Sequence, residues 1–332
     1  MSFLKYISIA ILLVFLVACN TRKSSNIGSS RGAVDPGELK GTLTLSGAHA
    51  LTPLAEEWAS GFMKAYPGVE IIINDNGSLQ GLNDLQSQKS QLAMISRALT
   101  DEESAGGIWA VPVAREGVAP VANASNPYIQ GLMEMGLSID EFRKVFIDSE
   151  EPAWGSLLGT SAKEKVKRYA RIPGSGASDA WAGFLYSEPS KIQGAMMESD
   201  EDLIRAVAAD KYAIGFCNFS YAYKVPDGEL RDGIKVIPFD LDFDDNINST
   251  EYPFETLEKA HRALWLGLYP KVLCRNLFLA SDGKPADPLV KEFIKYVLTT
   301  GQEKVLEAGL CELNNVHIRN ALEELDLLPG TK

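Results

Sequence analysis

Between residues 40 and 100 the apolar positions switch period four times. The run "GTLTLSGA" (41–48) reads as a strand. "LTPLAEEWASGFMKAY" then places Leu51, Leu54, Ala55, Trp58 and Phe62 on one face of a helix. "VEIIINDN" is a second strand, "SLQGLNDLQSQ" a second helix with Leu79, Leu82 and Leu85 in register, and "LAMISRAL" a third strand. This β-α-β-α-β order predicts an α/β fold with helices covering a sheet. Further on, "SIDEFRKVFI" opens on Ser138 with Glu141 three residues later, a capping box, and "SDEDLIRAVAAD" opens similarly on Ser199. "YAIGFCNF" and "IKVIPFDLDF" read as strands, and "DPLVKEFIKYVLTTGQEKVLEAGL" as two helices broken near Thr300 and Gly301. Two extended runs, "WAVPVAREGVAPVAN" and "WLGLYPKVLCRNLFLA", read as crossings between lobes.

The first residues break this rhythm. Lys5, an apolar run from Ile7 to Ala18 and then Cys19 follow the order of a secretory signal peptide. A transmembrane helix needs about 20 continuous apolar residues, and this run is shorter. "LVAC" resembles the lipobox of bacterial lipoproteins, which implies acylation of the Cys19 thiol after export and lipid anchoring on the periplasmic face of a bacterial membrane. Residues 19–39, rich in Ser and Gly, read as a flexible tether. The G-S-S-R-G within it matches the G-x-S-x-G of serine hydrolases, but the strand before and helix after that this motif requires are missing from the pattern.

Composition narrows the function classes. With 45% hydrophobic residues a sizeable core is assured, and a net charge of −12 argues against nucleic acid as a partner. Beyond Cys19 only Cys217, Cys274 and Cys311 remain, so at most one disulfide can form among them. Metalloprotease, Walker-loop and cysteine–histidine motifs are missing, and there are only three histidines; the sequence offers no catalytic set, metal centre or cofactor motif.

Three strand-to-helix junctions carry small or hydroxyl residues: "SGAHALTP" (46–53), "DNGSLQGL" (75–82) and "IPGSGASD" (172–179), the last preceded by Arg171. Each presents free N–H groups at a helix N-terminus, which favours anions. In α/β sheets ligands sit at the carboxyl ends of the strands.

On these stretches, in this order and spacing from about residue 41 to 315, the chain resembles the phosphate-binding proteins of bacterial phosphate ABC transporters. "NGSLQGLNDLQSQKSQLAMISRALTDEE" and "RIPGSGASDAWAGFL" carry the resemblance furthest. It implies a type II periplasmic binding protein fold, with one lobe from 40–115 and 266–332 and the other from 116–265. It also implies inorganic phosphate held between the lobes and delivered to a membrane permease, with no cofactor and no chemistry on the ligand. The residues it points to are Ala50 and the N–H of Leu51 in the first loop, Ser78 in the second and Ser96 at the third strand. Arg171 is then the charged partner, with Ser175, Gly176 and Ala177 forming the last cradle.

Departures from the family pattern sharpen the expectation. Ala50 and Ala177 stand where the family often has Thr. Two hydrogen bonds to a charged ligand, worth about 1.5–3 kcal/mol each, are thereby lost unless something compensates; His49 is an available donor. Some members place Asp after the third-strand Ser to accept the proton of hydrogen phosphate, and here that residue is Arg97. Asp75 and Asp179 are the nearby acceptors, while Arg97 either adds charge to the site or points to solvent. The alternative reading is a diverged binding-fold protein acting as a sensor, an adhesion factor or a receptor for another oxyanion. Finally, "DLDFDDNINSTE" (240–251) has the D-x-D-x-D-x₆-E spacing of a calcium loop, but with Asp245 where Gly normally makes the sharp turn.

Overall fold

In a computed structural model of the chain, residues 39–225, 227–249, 251–252 and 254–328 are described. The signal peptide, Cys19 and nearly all of the tether lie outside them. Nine strands are present among these residues: β1 (Gly41–Gly47), β2 (Val69–Asp75), β3 (Leu92–Ile95), β4 (Ile108–Asn123), β5 (Lys167–Arg171), β6 (Ala195–Met197), β7 (Ala213–Asn218), β8 (Ile234–Val236) and β9 (Cys274–Asp282). They run in the order β2-β1-β3-β9-β4-β7-β5-β6, with β8 paired to β4. The β1–β2 and β1–β3 pairs are parallel, as expected for strands joined through helices, and so are β5–β6 and β5–β7.

The fold is two-lobed, and each lobe has its own apolar core. One core draws on Leu39 to Ala114 and Leu277 to Leu325. The other draws on Val118 to Leu273, with Cys311 added. In the first lobe the helix Thr52–Ala65 buries Leu54, Ala55, Trp58, Ala59 and Phe62, the face its spacing predicts. Trp58 also donates its indole N–H to the Gly301 carbonyl at 2.8 Å, so a large side chain is buried without stranding its polar atom. In the second lobe Trp181, from the helix Gly176–Phe184, stacks on Phe216 of β7 with ring centroids 5.1 Å apart. The capping box at Ser138 and the Ser199 cap both form.

The two crossing runs become β4 and β9, which pair antiparallel from Ile108↔Asp282 to Gly117↔Cys274. β4 is one strand of 16 residues that serves both cores. Its register shifts between Pro112 and Ala114, where proline has no N–H for the ladder. The Val113 carbonyl there accepts from Gln302 Nε2 at 2.9 Å instead.

Several local expectations fail. Leu79 is 63% exposed rather than in register with buried Leu82 and Leu85, because at the second helical position it faces a cavity. The run 234–243 is strand only over Ile234–Val236. After the helix Pro288–Leu298 the chain makes a short 3₁₀ turn at Thr300–Lys304 rather than a second helix, and a helix follows at Asn315–Glu324 that the sequence reading did not locate.

Candidate functional site

A cavity of about 210 Å³ is lined by segments 48–50 and 76–80 and Ser96 from the first lobe, and by 171–177, Glu198 and Asn218 from the second, with Arg275 of β9 at the crossing. Such a volume is small beside the ~300–1,000 Å³ of pockets for drug-sized ligands, so it suits a ligand of few atoms. All three strand-to-helix junctions singled out in the sequence contribute to it.

Two helix N-termini open on this cavity. Gly77, with φ of 86°, turns the chain from β2 into the helix Ser78–Gln86, so that Ser78 and Leu79 begin the helix at the cavity wall. The turn is fixed from below: Asn76 Nδ2 donates to Ser46 Oγ and Asp84 Oδ2, and Ser46 Oγ donates to Asp84 at 2.6 Å. Those hydrogen bonds, led by the one from Ser46, hold the Asp84 carboxyl below its ordinary range. On the other side Gly174, with φ of 86°, makes the turn before the helix Gly176–Phe184, and Ser175 caps that helix by accepting from the Ser178 N–H at 3.2 Å. The first N–H groups of both helices have no intrahelical acceptor, which gives each terminus a partial positive charge.

Between the two termini sit hydroxyls and a guanidinium. Ser78 and Ser96 are buried with their Oγ atoms 3.2 Å apart. A Cβ at Gly176 would overlap both Ser96 Oγ and Arg275 Nη1, so the missing side chain lets the helix terminus, Ser96 and Arg275 converge. Arg275 donates from Nη2 to Asn218 Oδ1 at 2.6 Å, but its buried Nε and Nη1 have no hydrogen-bond partner among the described residues. Sequence reasoning missed Arg275. The available signal was weak, since Arg275 shares its crossing run with Lys271 and Asn276, and Glu116 follows Arg115 in the other.

Arg171 lines the same cavity but is held differently. Its Nη1 meets Asp200 Oδ2, its Nη2 donates to the Glu198 carbonyl at 2.7 Å and its Nε to the Met197 carbonyl at 3.2 Å. Asp200 is locked in turn, accepting from the Asn218 N–H at 3.0 Å and from Asn218 Nδ2 at 3.1 Å.

The remaining expected residues divide. Ala50 and Ala177 line the cavity and bring no hydroxyl to it. The Leu51 N–H does not point into it: it donates to the Ala48 carbonyl at 3.0 Å, closing the short turn His49–Leu51. His49 lines the cavity and its Nδ1 lies 2.5 Å from Asp75 Oδ1, which engages both side chains. Arg97 neither adds charge to the site nor runs free into solvent, since it makes a two-pronged contact of 2.7 Å to each Glu103 carboxylate oxygen. Asp179 lies off the cavity wall. Burial raises its carboxyl pKa, while Arg97 and Arg275 oppose that rise. The acid on the wall is Glu198, which is exposed.

The 240–251 segment does bring Asp240, Asp242 and Asp244 within 4.8 Å of one another, with Asp245 in the left-handed region at φ of 55°. Glu251, however, turns inward to accept from the Leu241 and Asn248 N–H groups. Cys217, Cys274 and Cys311 are free thiols.

Helix termini, buried hydroxyls and a guanidinium converging on one small cavity of an α/β protein suit a small anion. The chain belongs to the PBP superfamily, whose domain model matches residues 33–300. It is similar to the phosphate-binding protein PstS of Pseudomonas aeruginosa, at 25% identity over 94% of this chain and 98% of that protein. Protein SphX of Synechocystis is 21% identical over 85% of this chain and 81% of its own length. Among solved structures, a putative phosphate ABC transporter substrate-binding protein with bound phosphate from Clostridium perfringens matches at a TM-score of 0.65 and 22% identity. That match covers 82% of this chain and all of the other; at such identity the likeness speaks for the fold.

Proposed function

We propose that this chain is an exported, lipid-anchored solute-binding protein that captures inorganic phosphate between its lobes and hands it to the permease of an ABC transporter. The observation that carries the reading is Arg275: a buried guanidinium with two unpartnered nitrogens, beside Ser78, Ser96 and the N-terminus of the helix Gly176–Phe184. A buried guanidinium with unmade hydrogen bonds is costly unless a ligand completes them. Phosphate supplies acceptor oxygens for Nε and Nη1, for the serine hydroxyls and for the N–H groups of Gly176 and Ala177. Arg275 thus compensates for the hydroxyls that Ala50 and Ala177 lack, while Arg171, paired with Asp200, shapes the wall. The residues assembled there act by binding, and the ligand leaves unchanged. The names and coverage of the PstS relatives support phosphate as the ligand.

The test is calorimetric titration with phosphate and then sulfate, on protein stripped of carried ligand by unfolding and refolding. Tight phosphate binding, weakened about 10²–10⁴-fold by Arg275→Ala, is expected from two charged hydrogen bonds at ~1.5–3 kcal/mol each. Preference for sulfate would move the reading to a receptor for another oxyanion. Absence of heat and of thermal shift with either anion would remove the capture role.

A further inference from the structure

Glu116 stands opposite Arg275 in the β4–β9 ladder. It is 1% exposed, and its Oε1 accepts from the Ser220 N–H at 3.3 Å and from the Ser220 hydroxyl. Its Oε2 is buried with no hydrogen-bond partner among the described residues and lies 3.7 Å from Arg275 Nη2. At that distance the contact between the two side chains is Coulombic rather than a hydrogen bond, while Nη2 donates to Asn218. Two partly satisfied charges therefore face each other beside the anion cavity.

The surrounding groups leave the local charge to depend on Glu116. Asp200, from the helix Asp200–Ala209, is neutralised by Arg171. Cys217 of β7, Cys274 of β9, Tyr221 beside Ser220 and Asp179 of the helix Gly176–Phe184 are the other titratable groups that bear on the pair; burial raises the pKa of Cys217 and Tyr221, so both are neutral near pH 7, and it raises that of Asp179 against the pull of Arg97 and Arg275. With Glu116 ionised, the quartet of Arg171, Asp200, Arg275 and Glu116 carries no net charge. With Glu116 protonated, it carries one positive charge.

We propose, building on the anion-capture reading, that Glu116 is the resident counter-ion of Arg275, and that an anion arriving at Arg275 displaces it in that role by driving proton uptake onto Glu116 Oε2. The proton comes from solvent, the carboxylate becomes a carboxylic acid, and no other bond changes. Glu116 touches no ligand; it acts through Arg275 and is a positioning residue. Its burial already favours the acid form and pushes its pKa up to about 7, so the group is poised near neutrality. The complex then holds more protons than the free protein, and linkage makes affinity fall as pH rises above about 7, by at most tenfold per pH unit for one proton.

The experiment is calorimetry of the full chain in mild detergent at pH 6.5–8.5, in buffers of contrasting ionisation heat, with phosphate and with sulfate as titrants. Phosphate itself titrates near pH 7, so the informative quantity is the difference between wild type and Glu116→Gln. Wild type is expected to take up as much as one proton per anion more than the variant. The variant should bind about tenfold more tightly at pH 8 and lose that part of the pH slope. Equal proton counts and slopes in two proteins that both bind would overturn the inference while leaving anion capture standing. A folded variant that binds more weakly at every pH would also overturn it, by making ionised Glu116 a support for Arg275. If neither protein binds an anion, both readings fall together. Should Glu116→Gln fail to fold, Ser220→Ala serves instead: it removes a hydrogen bond that favours the carboxylate, so the pH at which affinity begins to fall should move upward, and an unmoved break would count against the proposal.

Discussion

Two arginines line one cavity and are treated in opposite ways. Arg171 arrives from the glycine-rich loop that any reading of the sequence would favour, yet each of its three guanidinium nitrogens already has an acceptor. Arg275 arrives from the second position of β9 and keeps Nε and Nη1 unpartnered. The difference lies in what the neighbouring backbone offers. The chain following β6 passes Arg171 with the carbonyls of Met197 and Glu198 and with Asp200, whereas the β9 ladder spends its own carbonyls on β4. A buried arginine whose surroundings supply acceptors holds a wall together, and one whose surroundings supply few is left to receive a ligand.

The contrast can be broken by mutation. The largest effect expected is on binding: Arg275→Ala should weaken phosphate affinity by about 10²–10⁴-fold, with a smaller loss of stability than Asp200→Ala, since the Glu116 left behind can take up a proton. Asp200→Ala should act in the opposite sense. It strands the Arg171 charge and removes two acceptors of Asn218, so chemical denaturation should show a loss of about 3–5 kcal/mol. If the two substitutions had interchangeable effects, the division of labour between the arginines would be wrong.

Titration sharpens the same comparison, because the second lobe buries a histidine and a glutamate whose charged forms desolvation disfavours. His261 is desolvated, and its pKa falls from 6.5 to about 4. Its neutral state stabilises the fold above the unfolded value of 6.5, and that contribution is lost as pH drops toward 4. Glu116 is raised from 4.5 to about 7, so its contribution is present below 4.5 and lost as pH rises through 7. Each amounts to at most about 3 kcal/mol, and between pH 4.5 and 6.5 they oppose each other. Relative to wild type, Glu116→Gln should therefore gain stability progressively from pH 4.5 to 7, while His261→Gln should gain it as pH falls from 6.5 to 4. Denaturant midpoints across that range check both signs. The smallest effect belongs to Arg97→Ala, which breaks the pair with Glu103 on the rim. It should cost about 1 kcal/mol or less and leave anion affinity within a few-fold.

Local features of the fold were legible in the sequence and long-range ones were not. The alternation of strand and helix and the caps at Ser138 and Ser199 follow from spacing within a dozen residues, whereas the convergence of the 48–50, 76–80 and 171–177 segments was legible only through the family resemblance. Leu79 misled because a 3.6-residue period identifies a face without saying where along the helix a cavity opens. Leu51 misled because the short turn before its helix consumes the N–H that a plain helix start leaves free. Arg275 was invisible as a site residue because its position depends on pairing with Glu116, nearly half the chain away. No local pattern encodes that register.

The same long-range pairing governs the order in which the molecule can assemble. The second lobe's core is complete by Leu273 except for Cys311, so the chain holds nearly everything this lobe needs in one continuous stretch. The first lobe begins at Leu39 but lacks Leu277, Leu279, Val290, Phe293 and Ile294 until the final quarter of the chain arrives. Ala93 must wait for Ala280 before β3 finds its antiparallel neighbour. In a chain emerging N-terminus first, the lobe begun earlier is the lobe finished later, and its exposed β1 and β3 need protection from aggregation until then.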